Sequence, residues 1–351
     1  MRKLYTLALF ALCSVTVVFA GNPDRQGEAG AYELLLNPFA RSAGLGSMMT
    51  ANVGGAEAMR INPAGIGRVP GLEVTISNMQ YLTGTGINMN ALGVSAPLGN
   101  GQAFGFTLAA MSFGDIIQTT EQSPEGTGTV FSPTFFHIGL GYSKTFDEKI
   151  SVGAGLRFIS ESIFNASATG FAIDAGVQYV SGEENEFKLG ISLRNIGLGM
   201  RFSGDGIATQ FSEPVDGDFN ITGEQRIADF ELPFQLNIGV SYDIDIDADN
   251  ALTVVGNFTS NAFSRDNIGL GVEYSFRDYF MVRGGYNAET GDTGTDLATS
   301  VVMGPSVGAT AAIPVSKKLD TGNRRSIFID YAYRPTRVFD GHHNIGVRLH
   351  L

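Results

Sequence analysis

From Leu72 to Leu351, apolar residues recur at every second position in short segments, with small or polar residues between them. A period of two is that of a β-strand, whose successive side chains point to opposite faces. The pattern marks fourteen strands: 72–82, 87–97, 102–113, 135–146, 150–160, 170–181, 186–196, 234–244, 251–260, 267–276, 279–287, 304–315, 326–334 and 343–351. Among the clearest are Phe171-x-Ile173-x-Ala175-x-Val177-x-Tyr179 and Phe234-x-Leu236-x-Ile238-x-Val240-x-Tyr242. Most have the roughly 9–11 residues that a tilted strand needs to cross a bilayer. The twelfth is the irregular one, because Pro305 and Pro314 cannot donate to a ladder.

The connections alternate in length. The even-numbered ones are short, whereas the odd-numbered ones include 114–134 and 197–233. An up-and-down transmembrane barrel has this asymmetry, with long loops outside and short turns in the periplasm. A soluble sandwich with Greek-key connections does not readily give it. The expected fold is therefore all-β: a fourteen-stranded antiparallel transmembrane β-barrel over 72–351. An even strand number places both mature termini in the periplasm of a bacterial outer-membrane protein.

The second face of the strands carries Gly139, Gly141, Gly153, Gly155, Gly176, Gly190, Gly239, Gly269 and Gly271. With them lie Arg157, Asp174, Lys188, Arg194, Asp243, Glu273, Arg283, Asp330 and Arg348. In a soluble barrel these charges would face water; in a membrane barrel they face the lumen while the apolar row meets lipid. Their near balance of sign suits mutual pairing or pairing to a plug better than a pore ringed by one sign. Residues 21–71 do not alternate and are too few for an independent domain. They are expected to form a plug or hatch in the lumen, with a short helix near Tyr32–Leu36. Arg41, Glu57, Arg60 and Arg68 are its candidate partners for the wall charges, and glycine in the wall lets plug backbone come close. Ordinary solvation of these charges is the competing reading.

Residues 1–20 begin with Arg2-Lys3, continue as an apolar run and end at Val18-Phe19-Ala20, the pattern of a secretory signal peptide cleaved after Ala20. Its rival is a short membrane anchor. Cys13, the one cysteine, falls in this segment, so the expected mature chain has neither disulfides nor cysteine chemistry. Removing Arg2 and Lys3 leaves 21 basic residues against 35 acidic, a surface that repels nucleic acid.

Two motifs carry a resemblance. Asn344-x-Gly346-x-x-Leu349-x-Leu351 resembles the C-terminal signal by which barrel assembly machinery recognises outer-membrane barrels, with Leu351 where an aromatic is commoner. Asn37-Pro38-Phe39-Ala40-Arg41-Ser42-Ala43-Gly44-Leu45-Gly46, Gly55-Ala56-Glu57-Ala58 and Asn62-Pro63-Ala64-Gly65 resemble the N-terminal region of the PorV/PorQ family of FadL-like outer-membrane proteins. The resemblance implies a fourteen-stranded barrel with an N-terminal hatch, and a role in type IX secretion in Bacteroidota. PorV-like members bind the C-terminal signal domain of secreted cargo and meet the translocon; PorQ-like members belong to the attachment complex. FadL-like relatives instead pass hydrophobic small molecules through the hatch and out through a kink in the third strand. The third strand here has Gly105 but no proline, which argues against such a wall opening.

Loops 114–134 and 197–233 are the candidate partner-binding surfaces. Phe131, Phe135 and Phe136 serve the first of them either as apolar anchors or as part of a lipid-interface aromatic girdle. A structural subunit of a larger outer-membrane complex is a further alternative. Enzyme chemistry is not expected: the sequence has no nucleophile elbow, Walker loop or zincin helix. Asp243-x-Asp245-x-Asp247-x-Asp249 begins like a calcium loop but has Asn250 and Gly256 where glycine and glutamate are needed. No cofactor is expected beyond lipid or detergent around the barrel.

Overall fold

The computed structural model describes residues 21–212, 220–290, 303–315, 325–336 and 339–351. The segment assigned to the signal peptide lies outside them. The chain forms a closed antiparallel barrel of fourteen strands in sequential order. These are β1 (Glu73–Gln80), β2 (Asn88–Gly99), β3 (Gln102–Ser112), β4 (Thr134–Phe146), β5 (Ile150–Ile163), β6 (Ala166–Ser181) and β7 (Phe187–Gly197). They continue as β8 (Gln235–Asp247), β9 (Asn250–Asn261), β10 (Asn267–Phe276), β11 (Phe280–Glu289), β12 (Gly304–Pro314), β13 (Ser326–Arg334) and β14 (His342–His350). β1 closes on β14 from Glu73↔His350 to Gln80↔His343, so the sheet has no free edge. Short ribbons, 116–117 paired with 130–131 and 208–212 paired with 220–224, decorate two of the long connections.

The barrel is inverted relative to a soluble one. Leu156, Phe171, Leu270, Val282 and Ile345 are exposed on the outer face, Leu270 at 67%. Arg157, Asp174, Arg283, Asp330 and Arg348 are buried inside. Lipid solvates such an outer face, and closure satisfies every ladder group in the hydrocarbon.

The strands differ from the sequence pattern mainly at their ends. The connection expected at 161–169 shrinks to Phe164-Asn165, because the ladder continues through Glu161↔Ala168 to Ile163↔Ala166. Those residues lose the apolar alternation but keep their backbone pairing. Pro305 and Pro314 fall at the two ends of β12, where the missing N–H costs least. The ladder between β6 and β7 shifts between Ile173 and Ala175. Asn195 takes a left-handed φ of 60° there, and its N–H donates to the Asp174 carboxylate at 2.7 Å instead of to a neighbouring strand.

Candidate functional site

Residues 21–72 run through the lumen from one end to the other. At the long-loop end the Gly21 N–H donates to Asp266 at 2.7 Å, Gly30 N–H donates to the Glu231 carbonyl, and Arg25 pairs with Glu231 at 2.9 Å. At the short-turn end Arg68 donates to the carbonyls of Glu148 and Lys149, and Leu72 pairs with Leu351 through two backbone bonds. Gly21 and Leu351 therefore lie at opposite ends of the barrel, not at the same one. Strand parity fixes the ends of the barrel alone, and the plug adds a crossing of its own.

The plug is built of single turns: 3₁₀ turns at Tyr32–Leu35, Gly55–Glu57 and Pro63–Arg68, and helical turns at Ala40–Ala43 and Ala58–Ile61. Turns this short leave most carbonyls without an internal partner. Polar wall side chains take them up. Ser77 and Asn344 donate to Pro38 O, Ser95 to Ile66 O, Ser192 to Ile61 O, Asn287 to Gly46 O, and Gln178 to Thr50 O and Val53 O. Asn62 caps its own turn by accepting from Ala64 N and donates to Thr50 O. Sequence reasoning missed these wall residues because uncharged polar side chains on an inward face look like ordinary lumen lining. Their repeated inward position is the signal that could have found them.

The wall arginines mostly pair within the wall. Arg157 binds Asp174 at 2.5 Å and Asn195 at 2.6 Å, and reaches the plug through Met59 O. Arg283 binds Glu273 at 2.6 Å and donates to Arg41 O; Arg348 binds Asp330 at 3.2 Å. Asp243 meets Lys188 and Thr253 and no plug residue among the described contacts. Plug charges behave differently from the expected plug-to-wall pairs. Arg60 donates to Leu36 O and Glu33 O, because its buried guanidinium reaches the carbonyls at the end of the plug's Tyr32–Leu35 turn. Glu57 accepts from Ser42 N–H and feels Arg41 and Arg348 only through space. Arg68 caps a turn and, among the described residues, meets no wall carboxylate. Pro63 presents its carbonyl to Gly153, where a Cβ would lie 2.3 Å away.

A buried cluster not read from sequence joins Glu33 and His137 at 3.0 Å, with Glu161 beside them. Burial pushes the Glu33 carboxyl up to about 7. Nearby, the inner wall turns apolar. Leu36 and Phe39 of the plug pack with Met79, Met89, Ala91, Ala109 and Met111, flanked by Tyr81, Ile87, Phe113 and Phe135. The three candidate loop aromatics do not form one anchor. Phe135 packs in this recess against Phe113, Phe136 takes the opposite, outward parity, and Phe131 packs on Phe164 among the loops. Of the C-terminal motif, Asn344 and Gly346 face the plug; Leu349 lies outward, paired with Val74 and Ile327, and Leu351 binds Leu72. Among the described residues no cluster of metal-ligating side chains occurs.

No protein-family description matches the sequence, and no curated protein does. Solved structures do. The CymD monoaromatic hydrocarbon channel superposes with a TM-score of 0.52 at 15% identity, covering 90% of this chain and 97% of that one. A TodX deltaS2S3 mutant monoaromatic hydrocarbon channel gives 0.51 at 14% identity, covering 89% and 97%. At these identities the likeness establishes the fold alone, a closed fourteen-stranded antiparallel barrel.

Proposed function

We propose that this chain is an outer-membrane channel for small hydrophobic molecules. The observation that carries the reading is the methionine-rich apolar recess at β1–β4, where the wall meets the plug. Met79, Met89 and Met111 offer an adaptable apolar surface, and the plug residues Leu36 and Phe39 form its floor. The barrel that this chain shares with proteins described as monoaromatic hydrocarbon channels supports it. β3 pairs with β2 and β4 along its length, the one register shift lying at Pro97/Gly99 beside the short turn, so passage requires the plug to shift. The test is uptake of a labelled monoaromatic hydrocarbon by cells whose outer membrane has no other such channel. The chain should raise the initial rate and Met89→Glu should lower it severalfold. Equal rates with and without the chain would sink the reading.

A second reading keeps the barrel as a binding component of type IX secretion. The closed wall and an apolar groove among the loops, lined by Phe131, Ile163, Phe164, Phe202 and Ile207, favour a protein partner. Gentle solubilisation and affinity purification should then recover a translocon subunit or cargo bearing a C-terminal signal domain; recovery of the barrel alone counts against it.

A further inference from the structure

A polar cavity of about 80 Å³ lies in the long-loop half of the lumen. The plug turn around Gly46–Met48 forms one side of it, and inward side chains of β7–β11, β13 and β14 form the rest. Its described lining contains Arg194, Arg334 and His342, a run of carboxamides, and no carboxylate.

Buried polar atoms in proteins are nearly always paired. Here seven are not paired within the described residues, and they belong to six residues lining this one cavity. They are Arg194 Nε, Arg334 Nε and Nη2, Asn237 Nδ2, Asn257 Oδ1, Asn267 Oδ1 and His342 Nε2. Arg194, Asn237, Asn257 and His342 are each at least nine-tenths buried. The two arginines also differ from the other lumenal wall arginines. Arg157, Arg283 and Arg348 each hold a carboxylate, whereas Arg194 donates to Gln235 Oε1 and Leu34 O.

The chemistry of the unpaired atoms defines what would complete them. Nε and Nη2 form the side-on fork of a guanidinium, which matches two oxygens of a carboxylate or phosphate. His342 Nδ1 accepts the Leu82 N–H at 3.0 Å, so the neutral ring carries its proton on Nε2 and offers a donor to the cavity. Asn257 and Asn267 offer carbonyl oxygens, which call for hydroxyl donors on the ligand. One water needs roughly 10–15 Å³ of such space, so there is room for about five to eight non-hydrogen atoms. We propose that the cavity binds a small hydroxylated oxyanion, a hydroxycarboxylate or a polyol phosphate, with Arg334 and Arg194 on the anionic group and Asn237, Asn257 and Asn267 on the hydroxyls.

Isothermal titration calorimetry of the full chain in detergent tests this, with glycerate, 2-hydroxyethyl phosphate, orthophosphate, acetate and glycerol as probes. Saturable binding of glycerate or of 2-hydroxyethyl phosphate is expected, with orthophosphate and acetate at least tenfold weaker and glycerol silent. Whichever of the first two binds assigns the oxyanion. Arg334→Gln should weaken that binding at least tenfold, and so should Asn257→Leu, a second variant that removes an acceptor and no charge. Both variants are checked for the heat-dependent gel migration of a folded barrel. The proposal is overturned if neither hydroxylated anion binds, if glycerol binds as well as they do, or if the variants bind like the parent.

Discussion

Gly153 and Gly155 sit two residues apart on the inward face of β5, and the structure gives them different jobs. A Cβ on Gly153 would lie 2.3 Å from the carbonyl carbon and oxygen of Pro63 and 2.5 Å from Ala64 N. A Cβ on Gly155 would meet nothing nearer than Leu140 O at 3.6 Å. Alanine at 153 therefore demands a backbone shift of about 1 Å in the Pro63–Arg68 turn, an overpacking that costs about 1–3 kcal/mol. Alanine at either site gains similar strand propensity, so Gly155→Ala is the matched control. At about 1.4 kcal/mol per factor of ten, Gly153→Ala should raise the population of unseated plug between about fivefold and about a hundredfold. The one cysteine of the chain is Cys13, so a buried reporter such as Met49→Cys reads plug opening through its maleimide labelling rate. If Gly153→Ala labels no faster than Gly155→Ala while both migrate as folded barrels, close approach at this glycine does not seat the plug.

Three further outcomes are expected. Asp330→Ala should lower the denaturant midpoint in detergent by the equivalent of about 3–5 kcal/mol, because it strips the carboxylate from buried Arg348; Asp330→Asn, which keeps an acceptor for Thr310, should cost less. The Glu33 carboxyl is raised from 4.5 to about 7. The seated plug thus holds a proton that the unseated one gives up, and seating weakens as pH climbs from about 4.5 to about 7. Reporter labelling, divided by the rate of a free thiol at the same pH to remove the thiolate fraction, should accelerate over that window and level off above it, and Glu33→Gln should flatten the rise even with Glu161, His137 and Arg60 in place. Deleting residues 22–68 should turn a barrel silent in planar bilayers into one with stepwise ion conductance, and a silent deletion would mean that something other than the plug blocks the lumen.

The barrel was legible in the sequence because lipid enforces a strict alternation of apolar residues on every strand. Where that pressure ends, at Glu161–Ala168, the strands run on and the pattern no longer shows it. The lumen was legible only in part. Charges on the inward face marked it, but which charge meets which depends on how the plug turns lie, and no period encodes that. Arg60 illustrates the difficulty: its partners are the carbonyls of Glu33 and Leu36, groups that every residue carries. Asn195 likewise reads as a strand residue, yet it sits in a ladder shift where Asp174 takes its N–H.

The path of residues 21–72 makes the molecule a cord drawn through a hoop. β1 begins where the cord leaves the hoop at the short-turn end, and the seam between β1 and β14 is the last pairing that shuts it. A bulky tail ahead of Gly21 could not be pulled through a ring already shut, so with such a tail the wall would have to close around a cord already in place. A peptide fused ahead of Gly21 would emerge among the long loops, and one fused after Leu351 on the opposite face. A single chain thereby offers an attachment point on each side of the membrane it spans.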